Sequence, residues 1–229
     1  MTERALSGRR VIVLGGTGGL GRAVVERFRD DGASVLAFDA RIPDAGDRQD
    51  GVEYVAVDAL DETSVSTAFG QVPPPAAVVN LIGGYTPPQP LSELDVDVLR
   101  RQLELNLVSA AIVTKHALPV LAAAGGGPIV LVSSRVATEK GENGFAYSVS
   151  KLGVVRLVEA AAAEGREQGV RVNCIMPSII DTPANRAALP NARHERWPKP
   201  AELAAVLAFL VSDDATLISG AAIPVYGRA

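Results

Sequence analysis

Short apolar runs alternate with longer amphipathic stretches along most of this chain. Arg10–Leu14, Ser34–Asp39, Glu53–Ala56, Ala77–Leu81, Pro128–Ser133, Val170–Ile175 and Ala221–Val225 have the length and apolar content of buried strands. Between them, Leu20–Asp30, Asp61–Phe69, Val98–Ala123, Phe145–Gln168 and Pro200–Leu210 carry helical spacing. Strands that are apolar throughout, rather than at alternate positions, belong to sheets covered on both faces. Such sheets are parallel and joined by helical crossovers. The pattern therefore predicts an α/β fold, a single doubly wound domain over residues 1–229 with a mostly parallel seven-stranded sheet. Right-handed crossovers wind that sheet in two directions from a switch point near the first strand, where ligands bind. Pro177–Pro200 lacks a core pattern, and Pro183, Pro190, Pro198 and Pro200 are expected to stop helix propagation within it. A stretch that long in a compact domain is usually functional, so residues 178–199 are expected to form a substrate lid.

Composition narrows the function classes. Hydrophobic residues make up 48% of 229, enough to bury a core, so disorder is excluded. A net charge of −4 with no Lys/Arg run argues against a nucleic-acid partner. The single cysteine, Cys174, allows no internal disulfide and fits a reducing compartment. No uncharged apolar run approaches the ~18 residues that span a bilayer. Met1–Arg10 has no apolar signal-peptide core, so the expected location is the cytoplasm, away from any membrane. Two histidines and one cysteine supply no metal-ligand spacing, so no metal is expected.

The first strand runs into Gly15-Gly16-Thr17-Gly18-Gly19-Leu20-Gly21 and then a helix. Glycines let the backbone turn tightly and approach a phosphate, and a helix N-terminus offers free N–H groups and a positive dipole end. Gly16, Gly18 and Gly21 match G-x-G-x-x-G, and Gly15, Gly19 and Gly21 match G-x-x-x-G-x-G; the motif alone leaves both open. A P-loop is excluded, because Arg22 and Ala23 stand where Lys and Ser/Thr are required. The loop makes this a Rossmann-type dinucleotide site. Asp39 ends the second strand, where a carboxylate accepts the ribose hydroxyls and repels a 2′-phosphate, so NAD is expected over NADP. Arg41 is the residue that could instead meet a phosphate.

The fifth strand leads through Ser133-Ser134 to Tyr147-Ser148-Val149-Ser150-Lys151 at the start of a long helix. Tyr147 and Lys151 are four apart and share one helix face. A unit charge about 4 Å from the phenol contributes roughly 4 kcal/mol at an effective dielectric near 20. Charge from Lys151 and an oxidised nicotinamide is therefore expected to bring the phenol from about 10 towards 7, where it can exchange a proton with a carbonyl or alcohol oxygen. Ser134 is expected to hold that oxygen.

These residues together resemble the short-chain dehydrogenase/reductase family over nearly the whole chain. The resemblance assigns Ser134, Tyr147, Lys151 and Asn106 to catalysis, with Asn106 supporting the lysine through water. It assigns Gly15, Thr17, Gly18, Gly19, Leu20, Gly21, Asp39, Asp58, Asn80, Gly83, Tyr147, Lys151, Pro177, Ile180 and Thr182 to the cofactor, with Asp58 at the adenine and Thr182 at the carboxamide. It also implies a homo-oligomer, dimer or tetramer, built on the helices Val98–Ala123 and Phe145–Gln168. Leu14, Leu81, Ile82 and Ser178 depart from the family pattern. A narrower similarity to dihydropteridine reductase-like members lies in Gly83-Gly84-Tyr85, Asp181–Arg186, Pro190 and Trp197–Glu202. Those pterin reductases lack the serine that Ser134 supplies here.

The expected activity is hydride transfer between NAD(H) and a small carbonyl or alcohol, with Tyr147 as acid and base. Two alternatives stand beside it: NADH-dependent reduction of a quinonoid dihydropterin or similar cyclic imine, and a dinucleotide-binding regulator without turnover. Cys174 reads as a core residue. His116 reads as packing or surface without a nearby carboxylate, and His194 as a residue of the lid. Trp197 either lines the pocket or pins the lid, and Asp213-Asp214 marks a helix end.

Overall fold

The computed structural model describes residues 5–139 and 144–228; Met1–Arg4, part of the stretch searched for a signal-peptide core, lie outside them. Its strands are β1 (Arg10–Leu14), β2 (Ser34–Asp39), β3 (Val52–Ala56), β4 (Ala77–Asn80), β5 (Gly127–Val132), β6 (Val170–Pro177) and β7 (Ala222–Val225). They form one sheet in the order β3-β2-β1-β4-β5-β6-β7, and every pairing is parallel.

The period of two along a strand explains why both faces needed apolar residues. Ile12, Leu14, Leu36 and Phe38 face α2 (Glu62–Gln71), α4 (Ser109–Ala123) and α5 (Phe145–Gly165), meeting Val65, Val113 and Val158. Val11, Val13, Val35 and Ala37 face the other way, towards Val24 and Phe28 of α1 (Gly21–Asp30) and Leu203 and Leu207 of α7 (Pro200–Val211). β1 and β4 are neighbours, and the chain leaves β1 towards β2 on one side and continues from β4 towards β5 on the other. Their carboxyl ends therefore open the crevice of a doubly wound sheet.

Two elements differ from the expected ones. The helix predicted from Val98 begins at Val96, where Asp95 caps it by accepting the Asp97 N–H at 2.8 Å. It is α3 (Val96–Leu103), then a π-helical turn over Glu104–Val108, then α4. By length and composition Val96–Ala123 could cross a membrane, but Val113, Ala117 and Leu121 are fully buried beneath the sheet, as in a core helix. The second difference is α6 (Pro183–Ala188), in the segment whose prolines were expected to stop helices. Pro183 sits in the first turn, where its missing N–H has no helical partner to lose, and Thr182 caps it by accepting the Asn185 N–H at 3.3 Å. Proline starts this helix.

Candidate active site

The glycine loop crosses the carboxyl end of β1. Gly15 takes a φ of +75° and donates its N–H to the Phe38 carbonyl at 2.8 Å. A Cβ on Gly21 would lie 2.0 Å from the Gly15 carbonyl oxygen, so no other residue fits there. A Cβ on Gly19 would press on Thr182 at 3.1 Å, whereas one on Gly18 would meet only the Gly15 oxygen at 3.5 Å. Gly16 is confined as well, since a Cβ there would fall 2.9 Å from Ala37 Cβ, so Gly18 is the one glycine of the two spacings that packing does not demand. Leu20 precedes α1 without a side-chain cap, and the first turn holds no acidic residue, which leaves the helix's positive end available to an anion. A loop this close to backbone, opening on an uncapped helix, fits the pyrophosphate of a dinucleotide.

The other expected cofactor residues ring the same crevice. Asp39 Oδ2 accepts the Thr17 N–H at 3.2 Å and the Thr17 hydroxyl at 2.5 Å, so this carboxylate first holds the loop in place. Asp58, exposed after β3, accepts the Leu60 N–H at 2.9 Å. Asn80 ends β4 nearly buried and accepts the Ile82 N–H at 3.0 Å, turning the chain towards Gly83. Pro177 ends β6, and Ile180 accepts both the Thr182 N–H and the Asn185 amide. Arg41 is exposed.

The catalytic candidates converge one layer deeper. Ser134, two residues past β5, is nearly buried and lies beside the half-buried Tyr147 phenol, close enough to act on its acidity. Lys151, one turn further along α5, is 4% exposed and donates to the Val132 carbonyl at 3.0 Å. Ser133 donates to the Lys151 carbonyl at 2.7 Å, tying β5 to α5 at that turn. Asn106 lies in the π-helical turn. Its Oδ1 accepts the Gly84 N–H at 2.9 Å, while its Nδ2 donates to the Gly84 carbonyl at 3.0 Å and to Ser150 Oγ at 3.1 Å. A Cβ on Gly83 would fall 2.7 Å from Asn106 Oδ1 and 2.8 Å from Lys151 Nζ, so the two side chains converge on that glycine.

The electrostatics depart from the expectation for Tyr147. Burial raises the phenol above its ordinary 10.0, Ser134 partly offsets this, and the Tyr85 phenol raises it further. Lys151 Nζ lies 6.0 Å from the Tyr147 ring centroid and points to a carbonyl, so it does not bring the phenol towards 7. Burial also lowers Lys151 itself, from 10.5 to about 8. Of the two charges expected to tune the tyrosine, only that of an oxidised nicotinamide remains.

A cavity of about 210 Å³ opens beside Tyr147, lined in part by the Tyr85–Gln89 loop, and Tyr85 stands edge-on to Tyr147 with centroids 5.2 Å apart. A larger cavity of about 1040 Å³ surrounds Gly125–Pro128 and Arg171 at the amino ends of β5 and β6. It is at the opposite end of the sheet from the chemistry. From the sequence, Tyr85–Leu91 is the loop expected, with the lid, to select the substrate, and its Tyr85–Gln89 part lines this cavity.

Other candidates fall outside the site. Cys174 is fully buried, and burial raises its thiol to about 12, as for an inert core residue. His116 has a carboxylate neighbour after all: its Nε2 is 3.2 Å from Glu62 Oε1 on α2, a contact that sequence distance hid. His194 approaches the Leu189 carbonyl at 2.7 Å and packs on Trp197, centroids 4.7 Å apart. Trp197 is 7% exposed and is absent from the lining of the cavity beside Tyr147, so it pins its segment to the body. Asp213 follows the end of α7 and pairs with Arg9. Among the described residues no group of His, Cys, Asp and Glu could hold a metal.

Residues 15–227 match the family described as Enoyl-(Acyl carrier protein) reductase. Cis-4-hydroxycyclohexanecarboxylate dehydrogenase of Sinomonas cyclohexanicum is 34% identical, over 97% of this chain and 97% of that protein. 3beta-hydroxysteroid dehydrogenase 2 of Eggerthella lenta is 31% identical, over 97% of this chain and 95% of its own length. A solved short-chain type dehydrogenase/reductase from Mycobacterium ulcerans superposes with a TM-score of 0.91 at 30% identity, covering 98% of this chain and 90% of that one. The chain thus belongs to the short-chain dehydrogenase/reductase family, as an oxidoreductase that moves hydride between a nicotinamide dinucleotide and an alcohol or carbonyl.

Proposed function

We propose that this protein is an NAD(H)-dependent dehydrogenase of small alcohols, or reductase of the matching carbonyls, with Tyr147 as its acid and base. The observation that carries the reading is the placing of Tyr147 beside Ser134 at the carboxyl end of the sheet, next to a cavity and one helical turn from a buried Lys151. The dinucleotide, when bound, supplies or takes the hydride. Ser134 then holds the substrate oxygen and Tyr147 gives or takes its proton. Lys151 steadies the ribose and the proton path, and Asn106 fixes the Gly84 backbone beside the lysine. Gly15, Gly19 and Gly21 admit the pyrophosphate, Asp39 accepts the ribose hydroxyls, Asp58 meets the adenine, and Pro177, Ile180 and Thr182 border the nicotinamide. Preference for NAD over NADP rests on the Asp39 carboxylate, which faces any 2′-phosphate with like charge.

Residues 178–199 act as the lid, pinned by the buried Trp197 and by the Ser178 hydroxyl donating to the Tyr226 carbonyl at 2.7 Å, and braced internally by the Asp181–Arg186 ion pair. The protein assembles through α4 and α5; α5 exposes Phe145 and Leu152, and Val108 is exposed on the π-turn that leads into α4. A quinonoid dihydropterin is the second reading, carried by the sequence likeness around Asp181–Arg186 and Trp197–Glu202. Cofactor consumption across a panel of carbonyls, quinones and a quinonoid dihydropterin tests both. Turnover of carbonyls is expected; turnover of the pterin alone would transfer the assignment to the second reading, and no turnover at all would favour a regulator.

A further inference from the structure

β6 and β7 end in register, with Pro177 beside Val225, so Ser178 and Tyr226 leave the sheet together. Ser178, one of the residues that depart from the family pattern, gives its hydroxyl to the Tyr226 carbonyl at 2.7 Å. The chain after Tyr226 then reaches the other end of the lid. The Arg228 N–H donates to the Arg196 carbonyl at 2.9 Å. Gly227, at a φ of +67°, lies so close that a Cβ would fall 2.9 Å from that same oxygen and 3.0 Å from the Pro198 nitrogen. Within the lid the Asp181 N–H donates to the Pro198 carbonyl at 2.9 Å, which draws its two ends together. Tyr226–Arg228 thus holds the segment at both ends.

The Tyr226 ring holds something else. Arg135 Cζ lies 5.3 Å from the ring centroid, within the range where a guanidinium is attracted to an aromatic face, and Arg135 Nε donates to Glu139. Arg135 follows Ser134 and opens the turn Arg135–Ala137, whose Val136 lines the cavity beside Tyr147. A guanidinium gripped here steadies that turn, and with it the Ser134 hydroxyl and one wall of the cavity. Loops hold a geometry less exactly than strands do, so tying both loops to the end of β7 lends them the stiffness of the sheet.

Resting on the reading of residues 178–199 as the lid, we infer that Tyr226 is a positioning residue of the active site: its ring holds the turn that carries Ser134, and its backbone holds the lid. It acts through Arg135 and Ser178. The lid and the oxygen-holding serine are thereby set in register with each other, although they come from distant parts of the chain.

Hydrogen exchange of the full chain, read by mass spectrometry with and without NADH, tests this. Without cofactor, Tyr226→Leu should raise exchange about fivefold in two places, the factor that about 1 kcal/mol of cation–π contact gives. One is residues 134–138, where the Ala137 N–H is bonded to the Ser134 carbonyl, and the other is the lid. Ser178→Ala should raise exchange in the lid alone. Tyr226→Phe, which keeps both ring and carbonyl, should restore the wild-type pattern. A rise in only one of the two places in Tyr226→Leu, or the same rise in Tyr226→Phe, would overturn the assignment. So would an equal rise in β1, whose Val11–Leu14 are fully buried, because that marks general destabilisation. Turnover of the fastest carbonyl in the panel above, with both dinucleotides, separates positioning from packing. Tyr226→Leu should lose about fivefold in kcat and Tyr226→Phe should recover it; an unchanged kcat would overturn the positioning role. Failure of NADH to protect residues 178–199 in the wild type would count against the lid reading instead, and exchange without cofactor decides the role of Tyr226 either way.

Discussion

Lys151 is held where a cation is poorly solvated, 4% exposed, with burial lowering it from 10.5 to about 8. A site residue kept in this state costs stability, as functional groups in strained or desolvated positions commonly do. The shift corresponds to on the order of 3 kcal/mol against the folded state at neutral pH. Between pH 8 and 10.5 the unfolded chain holds this proton and the folded chain does not, so stability rises with pH through that window. Cys174 opposes this above pH 9, because its thiol titrates near 9.0 when free and about 12 when folded. Denaturant titration should therefore show stability rising from pH 8 to 9 and then levelling, and Lys151→Met should abolish the rise while raising the melting temperature at pH 7 by several degrees. A lower melting temperature would mean that the lost bond to Val132 outweighs the relieved charge. Tyr147→Phe should lower hydride transfer by about 10²–10⁴-fold with dinucleotide binding within a few-fold of wild type. Retained activity would take the phenol out of the mechanism. Asp39→Ala should weaken NADH binding and raise relative affinity for NADPH, read by fluorescence titration of both cofactors. Because the same carboxylate secures Thr17, part of the NADH loss will come from a looser glycine loop, which Thr17→Val would reproduce without the gain for NADPH.

At the level of elements, the sequence was most legible where one physical constraint acted alone. Strands such as Val170–Pro177 bury nearly every residue, and a short run of that character suits neither a surface loop nor a half-exposed helix. The glycine loop was legible because Gly21 has no room for a Cβ. The choice between two glycine spacings was not, since it depends on Thr182 arriving from a segment far along the chain. Nor was α6, too short for a periodic signal and started by a proline. The raised Tyr147 phenol was missed because spacing reveals Lys151 but not the burial that outweighs it. The π-helical turn left no mark either, because one residue added to a helix shifts the apolar stripe by less than the pattern's own scatter. The turn carries Asn106, whose Oδ1 accepts the Gly84 N–H. Deleting Leu105 should restore a regular helix, leaving circular dichroism unchanged or more helical, while activity falls at least tenfold. Wild-type activity after the deletion would show that the turn has no part in the site.

The whole molecule is expected to be a dimer or tetramer, and light scattering at micromolar concentration checks this; a monomer there would refute it. The feature with the widest consequence is how closely the inward and outward faces of two helices are set. Asn106 is buried and Val108, two residues on, is exposed; Lys151 is buried and its neighbour Leu152 is 48% exposed. Whatever covers Val108 and Leu152 therefore presses on the backbone that aims Asn106 and Lys151. Catalysis in such a molecule obeys mass action in the protein itself. Specific activity should fall when the protein is diluted below its own dissociation constant, and Leu152→Glu should bring that fall to higher concentrations, although the substitution touches no reacting atom.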